Sequence, residues 1–251
     1  MDINSDPPRE RSLLTLAIDI GGSHLKAGLL DQDGTMVAGP NRVNTPMTPA
    51  PQIVVDALVG LATPLGHFDR ISIGFPGVVR QGQVLTAPNL GTPAWRHFPL
   101  AASLTDKLGK PARMLNDAEV QGLGVIAGKG LECVITLGTG MGFGLFQDGR
   151  PAPHLELSQH VIHKGKTYDQ FIGAAALKDV GKARWNRRLR RVLASITTLV
   201  GFDTLHIGGG NAKHVDVDLA SNMCIVGNEA GITGGVRLWD KTLDAVFVTA
   251  A

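Results

Sequence analysis

Residues 13–34 read LLTLAIDIGGSHLKAGLLDQDG, and residues 135–149 read ITLGTGMGFGLFQDG. Each opens on an apolar, partly β-branched run, turns on glycines, returns through a Gly-Leu segment and closes on Asp-Gly. An apolar run ended by glycine reads as a central strand with a tight exit, and Asp-Gly is a favoured hairpin turn. The first stretch therefore predicts strands over Leu13–Ile20 and Leu25–Leu30, and the second predicts strands over Cys133–Leu137 and Phe143–Phe146. We read the shared order as an internal duplication; independent hairpins are the alternative, since Asp-Gly turns are common.

Outward from these hairpins, strands and helices alternate. Ile53–Leu65 carries Val, Leu and Ala at helical spacing, Arg70–Phe75 is a short strand ending at Pro76-Gly77, Pro99–Leu108 is a helix and Ala112–Leu115 a strand. Farther on, Leu177–Val200 reads as a helix, Thr204–Ile207 as a strand running into Gly208-Gly209-Gly210, and Ala230–Val248 as a C-terminal helix. This order predicts an α/β protein of two halves with a cleft between them. The expected division is an N-terminal α/β domain over residues 13–116, joined by the C-terminal helix at about 232–248, and a C-terminal α/β domain over residues 117–231. Residues 1–12 are polar and proline-containing, and are expected to be a flexible tail rather than a signal peptide.

Composition narrows the class. Hydrophobic residues make up 43% of 251 and charged residues 18%, and no stretch approaches the ~20 apolar residues of a membrane span. The expectation is a cytoplasmic protein with no membrane partner. A net charge of +2 is too mild to argue for nucleic acid. Cys133 and Cys224 are the only cysteines, too few for a disulfide framework or a multi-cysteine zinc site, and both are expected to be buried and reduced.

The 32 glycines cluster beside apolar runs. Three turns follow strands: Asp19-Ile20-Gly21-Gly22-Ser23, Gly138-Thr139-Gly140-Met141-Gly142 and Gly208-Gly209-Gly210-Asn211. Such turns let amide N–H groups point at phosphate oxygens, although each alone is equally a tight strand exit. None fits the P-loop or the dinucleotide pattern. Asp19 interrupts an apolar run, so it either caps its turn or faces a phosphate site through a magnesium ion, by way of water. Lys26 reads as a phosphate partner or as part of an exposed face, and the second reading is kept. Asn116-Asp117 sits between a strand and a helix, where one of the pair caps the helix or Asp117 takes a proton from an attacking hydroxyl. Gly77, in Gly74–Val79, and Asn89 lie in loops that line a sugar site or simply turn the chain, and Glu156 and His160 have side chains suited to sugar hydroxyls.

Taken in order, LAIDIGGSHLKAGLL, GFPGVV, LND, TLGTGMGFGLF, LELSQH and IGGGNAK resemble the ROK family of sugar kinases and repressors, from about residue 13 onward. The resemblance implies the two-domain actin/hexokinase-like (ribonuclease H-like) fold. It implies that Asp19, Gly21, Gly22 and Ser23 share one donor-phosphate site with Gly138, Thr139, Gly140 and Gly142, with Gly209, Gly210 and Asn211 near the nucleotide. It implies Asp117 as catalytic base, with Asn116, Gly77, Glu156 and His160 on the sugar.

Departures from the family pattern also carry expectations. Many members have a Gly-His step after the glutamate and then a cysteine-rich zinc loop, whereas this chain has Ser158-Gln159-His160 and no such cysteines. No structural zinc is expected, and His160 either replaces the usual histidine one position late or the contact is lost. No winged helix precedes residue 13, so the DNA-binding branch is disfavoured and no DNA partner is expected. The compact form is similar to the polyphosphate glucokinase branch, which phosphorylates glucose from inorganic polyphosphate, ATP or both. That implies a hexokinase/glucokinase-type phosphotransferase with magnesium, and a homodimer; the alternatives are a kinase for another hexose or amino sugar, or a catalytically silent sugar sensor. Lys178, Lys182, Arg184, Arg187, Arg188, Arg190 and Arg191 crowd one predicted helix, either as a track for a polyanion or as a solvated face.

Overall fold

The computed structural model describes residues 12–91, 93–227 and 233–247, so all of the expected tail but Ser12 lies outside the described residues. Strand β1 (Thr15–Ile20) is buried at every position except the partly exposed Asp19, as a central strand requires. It pairs antiparallel with β2 (His24–Leu30), which pairs with β3 (Met36–Asn44). Helix α1 (Pro51–Ala62) starts on a proline, where the missing N–H costs nothing, and buries Val54, Val55, Leu58 and Leu61. Strand β4 (Arg70–Phe75) returns parallel to β1. After a small hairpin, β5 (Val79–Arg80) and β6 (Gln83–Val84), helix α2 (Leu100–Leu108) leads to β7 (Ala112–Asn116), parallel to β4. The sheet order is β3-β2-β1-β4-β7.

Helix α3 (Asp117–Leu123) follows without a loop and leads to a second meander, β8 (Leu131–Leu137), β9 (Met141–Gln147) and β10 (Arg150–Pro151). Then come a hairpin of β11 (Val161–His163) and β12 (Lys166–Thr167), helix α4 (Tyr168–Ile172) and helix α5 (Ala174–Val200), which is interrupted where Gly181 takes φ 72°. Strands β13 (Thr204–Gly208) and β14 (Met223–Ile225) add parallel to β8, giving β10-β9-β8-β13-β14. Both sheets are a three-strand antiparallel meander extended by two parallel strands, and the two stretches quoted above occupy matching places as β1–β2 and β8–β9.

Apolar burial holds each sheet to its helices. Leu16, Ile71 and Ile73 pack with Val54, Leu58 and Leu104 of α1 and α2, while Ile135, Leu205 and Ile207 pack with Trp185, Leu189 and Val192 of α5. A third cluster joins the two sheets through α3: Val120 and Leu123 meet Leu115, Val134 and Phe146. Cys133 is buried as expected, but Cys224, on the edge strand β14, is exposed.

The single helix expected over Ala230–Val248 is corrected. Residues 230–232 and 248 lie outside the described residues; between them the chain forms 3-10 turns at Gly234–Trp239 and Lys241–Leu243, then a short helix α6 (Asp244–Phe247). Close packing and capping set this form. A Cβ on Gly234 would stand 2.0 Å from the Val120 carbonyl oxygen, and Asp240 takes an extended ψ of 131° and caps the next turn by accepting from the Thr242 N–H. The segment lies on the first sheet: Ser72 Oγ donates to the Gly235 carbonyl at 2.6 Å, and the Arg113 guanidinium stacks 4.5 Å over the Trp239 ring while pairing with Asp244.

Trp185 is fully buried and its Nε1–H donates to the Ile172 carbonyl at 2.7 Å, tying α5 to the end of α4. Trp185→Ala is expected to lower stability by about 3–5 kcal/mol, read from denaturant unfolding; a loss below about 1 kcal/mol would mean that α5 is not anchored there.

Candidate active site

The site is built where β7 runs directly into α3. Asn116 occupies the cap position with extended backbone, φ –60° and ψ 148°. Its Oδ1 accepts from the Ala118 N–H at 2.9 Å, and its own N–H donates to Glu119 Oε2 at 3.2 Å. Its Nδ2 donates to the Phe75 and Gly77 carbonyls at 3.3 and 3.1 Å. Capping therefore falls to Asn116, and Asp117 becomes the first helical residue. Asp117 Oδ1 accepts from the Ala118 N–H at 2.9 Å, and the residue lines a cavity of about 150 Å³.

Two glycine turns, one from each sheet, meet at this cavity. Gly21 and Gly22 line it from the β1–β2 turn, with Asn89 packed against Gly22. From the β8–β9 turn come Gly138, Thr139, Gly140 and Gly142. Gly140 is required by a neighbour, since a Cβ there would lie 2.3 Å from Asp169 Oδ1. Asp169, on α4, accepts from the Met141 N–H at 2.7 Å and from Gln159 Nε2 at 3.0 Å, which fixes the β8–β9 turn against α4.

The electrostatics are those of an acidic pocket. Burial, reinforced by the charge of Asp19 and then of Glu156, pushes the Asp117 carboxyl up to about 7. Burial and the Glu156 charge also raise Asp169. Behind them His154 lies between two carboxylates, hydrogen-bonded to Glu119 Oε1 at 3.0 Å and within ion-pair distance, 3.6 Å, of Glu156 Oε2. Burial opposes charge on His154, but Glu119 and Glu156 outweigh it and hold the imidazole up at about 9. Burial likewise works against the Glu156 charge, and the attraction of the nearby His154 with the hydrogen bond from Ser158 outweighs it and lowers the carboxyl. A chain of charge thus runs from the α3 cap through Glu119 and His154 to Glu156 on the cavity wall.

Several expected residues stand elsewhere. His160 is exposed and outside the cavity lining: the 3-10 turn Leu157–Gln159 buries Ser158 and directs Gln159 to Asp169, and His160 ends that turn with extended backbone, ψ 145°. Gly77 presents its carbonyl to Asn116 rather than a face to the cavity; Asn116 does line the cavity, with both N–H bonds of its amide taken by backbone carbonyls. Ser23 is exposed, and its carbonyl accepts from the Thr45 N–H. Gly209, Gly210 and Asn211 do not line this cavity; they support the β8–β9 turn from behind, with Asn211 Nδ2 donating to the Gly138 carbonyl at 3.0 Å. Asp19 lies just outside the lining, ion-paired at 2.8 Å with Lys26, the residue opposite it across β1–β2, so Lys26 is a partner of Asp19 rather than part of a bare face. Among the described residues no three His, Cys, Asp or Glu side chains gather as a metal site.

Sequence reading missed Asp169, Ser158 and Thr136, all of which line the cavity. Asp169 sits in the first turn of a helix capped by Thr167, where an acid is an ordinary choice, so nothing local marks it. Ser158 stands inside the quoted LELSQH segment, which was the one available signal.

The sequence model described as the ROK family matches residues 15–153. A polyphosphate glucokinase of Mycobacterium leprae is 31% identical over 235 residues, covering 86% of this chain and 72% of that one. An N-acetylmannosamine kinase of Escherichia coli is 34% identical over 143 residues, covering 55% of this chain and 49% of that one. The crystal structure of an inorganic polyphosphate/ATP-glucomannokinase from Arthrobacter superposes with a TM-score of 0.80 at 29% identity, covering 90% of this chain and 97% of that one.

The raised Asp117 carboxyl makes a stability prediction. A folded-state value of about 7 against 3.8 in the unfolded chain means that its contribution is present below 3.8, falls as pH rises and is gone above about 7. Asp117→Asn lacks this loss. Relative to the unsubstituted protein it is expected to gain on the order of 1 kcal/mol or more between pH 4 and pH 8, by urea unfolding at both. Identical pH dependence in the two proteins would contradict the buried carboxylate.

Proposed function

The chain belongs to the ROK family and is a sugar kinase, and from that premise we propose that it transfers the terminal phosphoryl group of inorganic polyphosphate or ATP to the 6-hydroxyl of glucose. The observation that carries this reading is one cavity in which Asp117, with a carboxyl raised to about 7, shares the wall with glycine turns from both sheets. A base of that strength near neutral pH takes the hydroxyl proton as the sugar oxygen attacks the terminal phosphorus. The new O–P bond forms as the bridging P–O bond to the donor breaks, and the leaving group departs as a shortened polyphosphate or as ADP. Amides of Gly22 and Gly140 provide fixed donors for the charge that builds on the phosphoryl oxygens, while those of Gly21 and Gly138 hold their turns by donating to the His24 and Gly140 carbonyls. Glu156 and Asn89 are assigned to the sugar hydroxyls, while Asn116 is assigned to holding Asp117 in place. Ser158 and Asp169, which line the cavity where His160 does not, are assigned to the same wall as Glu156.

Magnesium suits the residues present. The Asp19 charge opposes ionisation of Asp117 nearby, and a magnesium ion typically uses one or two carboxylates together with donor phosphates. Asp19 would hold it, with Lys26 as the competing cation. When bound it supplies neutralisation of phosphate charge. The reading divides the chain into lobes at residues 13–116, joined by the C-terminal segment 233–247, and residues 117–231, closing about α3. It places the enzyme in the cytoplasm, consistent with two unpaired cysteines, and as a homodimer, which rests on the family resemblance alone.

The similarity to an N-acetylmannosamine kinase favours a second reading, an amino sugar as acceptor. A coupled assay of glucose, mannose and N-acetylmannosamine, each against ATP and long-chain polyphosphate, separates the two. Phosphorylation of glucose with neither donor would overturn the first, and silence with every pair would leave a sugar sensor. With the active pair, Asp117→Asn is expected to lower kcat by about 100-fold or more without unfolding the protein. In the unsubstituted enzyme kcat/KM should rise tenfold per pH unit up to a plateau beginning at about 7, because only ionised Asp117 accepts the proton.

A further inference from the structure

Away from the cavity, a concave pocket of about 440 Å³ is lined by Arg184, Arg187, Arg188 and Arg191 of α5 and by Lys164 and Lys166 of the β11–β12 hairpin, over a floor of His163 and Phe171. That volume falls within the roughly 300–1,000 Å³ of small-molecule sites. The four arginines follow the i, i+3, i+4, i+7 spacing of one helix face, where like charges repel and destabilise an isolated helix. No Asp or Glu lines the pocket, and among the described residues none of the six cations enters an ion pair, although Lys182 on the same helix pairs with Asp216. Lys164 also adopts φ 47°, a left-handed turn conformation that favours Gly, Asn or Asp, so its charge is kept against the local preference of the backbone.

The floor is ordered. Arg188 donates to the Phe171 carbonyl at 3.0 Å and lies 5.0 Å over the Phe171 ring, with His163 tilted against the same ring at 5.6 Å. Arg191 Nη1 stands 2.7 Å from His163 Nδ1, which makes that nitrogen an acceptor and leaves Nε2–H as a donor. Burial, with the charges of Arg191, Lys164 and Arg188, lowers His163 and so keeps the imidazole neutral. Every polar side chain facing the pocket is then a donor. A nucleoside or sugar phosphate would bring hydroxyl and amino donors that find no side-chain acceptor, and the one aromatic ring is already covered. A ligand made of acceptors alone fits, and arginine forks match phosphate oxygens.

We infer that this pocket is a second, non-catalytic site for condensed inorganic phosphate, holding the unreacting length of a polyphosphate donor. The second half of that statement rests on the kinase reading above. Helix α4 connects the two sites: Asp169 faces the catalytic cavity, and Phe171, ~200° farther round the helix, faces the pocket. The sites therefore lie back to back across a helix ~10 Å thick, so a long chain can occupy both while a triphosphate reaches one.

Arg184→Gln/Arg187→Gln removes two exposed charges that make no hydrogen bond among the described residues, and Lys164→Asn removes a third while keeping a residue suited to the turn. Calorimetric titration with tripolyphosphate and with long-chain polyphosphate, at several salt concentrations, reads the site directly. Both variants should bind long-chain polyphosphate about 10-fold or more weakly, with a shallower dependence on salt. In turnover, KM for long-chain polyphosphate should rise in step, with kcat and the KM for ATP unchanged. A comparable weakening for tripolyphosphate alone would assign the pocket to short condensed phosphate acting as an effector. If the protein uses ATP but no polyphosphate, the titration still decides the pocket, and loss of binding in the variants supports it. Unchanged affinity and salt dependence for both anions would overturn it, whatever the assays of phosphoryl transfer show.

Discussion

Asn116 is hydrogen-bonded on every side: to the first turn of α3, to Glu119, and to the carbonyls of Phe75 and Gly77 at the end of β4. Those bonds fix the start of α3 against the first sheet, and the apolar side of the same helix packs Val120 and Leu123 onto the second. The carboxylate at the next position is thereby held between the sheets. An unpaired amide or carbonyl buried at this junction would be costly, so the cap is both a folding requirement and the device that aims Asp117.

The pocket that results concentrates carboxylates. Asp117, Glu156 and Asp169 line it and Asp19 lies just outside, and burial beside these charges raises the carboxyls of Asp117 and Asp169. His154 relieves part of this from behind by charging between Glu119 and Glu156. What remains on the cavity side is a base that ionises near neutrality and a group of backbone N–H donors on glycine turns. Such a site is poised for a proton and an anion to arrive together, which is the requirement of phosphoryl transfer to an alcohol.

The doubled topology explains why two similar turns meet. Each sheet carries its glycine turn at the end of its first central strand, and α3 links the sheets so that those ends converge. Outside this symmetric core the halves differ. The second carries α4 and α5, and with them a cationic face on the far side of α4 from the acidic cavity. The helix between them keeps the carboxylates of one side apart from the arginines of the other.

The strands, the two hairpins and the run of sugar-kinase motifs were legible in the sequence, because glycine, Asp-Gly and apolar periodicity act over a few neighbouring residues. Even so, the sequence left open which of Asn116 and Asp117 caps α3, and it is Asn116, oriented by the Ala118 N–H and by the carbonyls of Phe75 and Gly77 some forty positions away. The placement of Asp169 against Gly140, the exclusion of His160 and the broken C-terminal segment were likewise set by contacts between distant parts of the chain. So was the sorting of seven basic residues into four that share a pocket with a hairpin and three that do not. Local propensity determines which elements form, but burial, charge and cavity shape depend on which elements are brought side by side, and that is a property of the packed molecule alone.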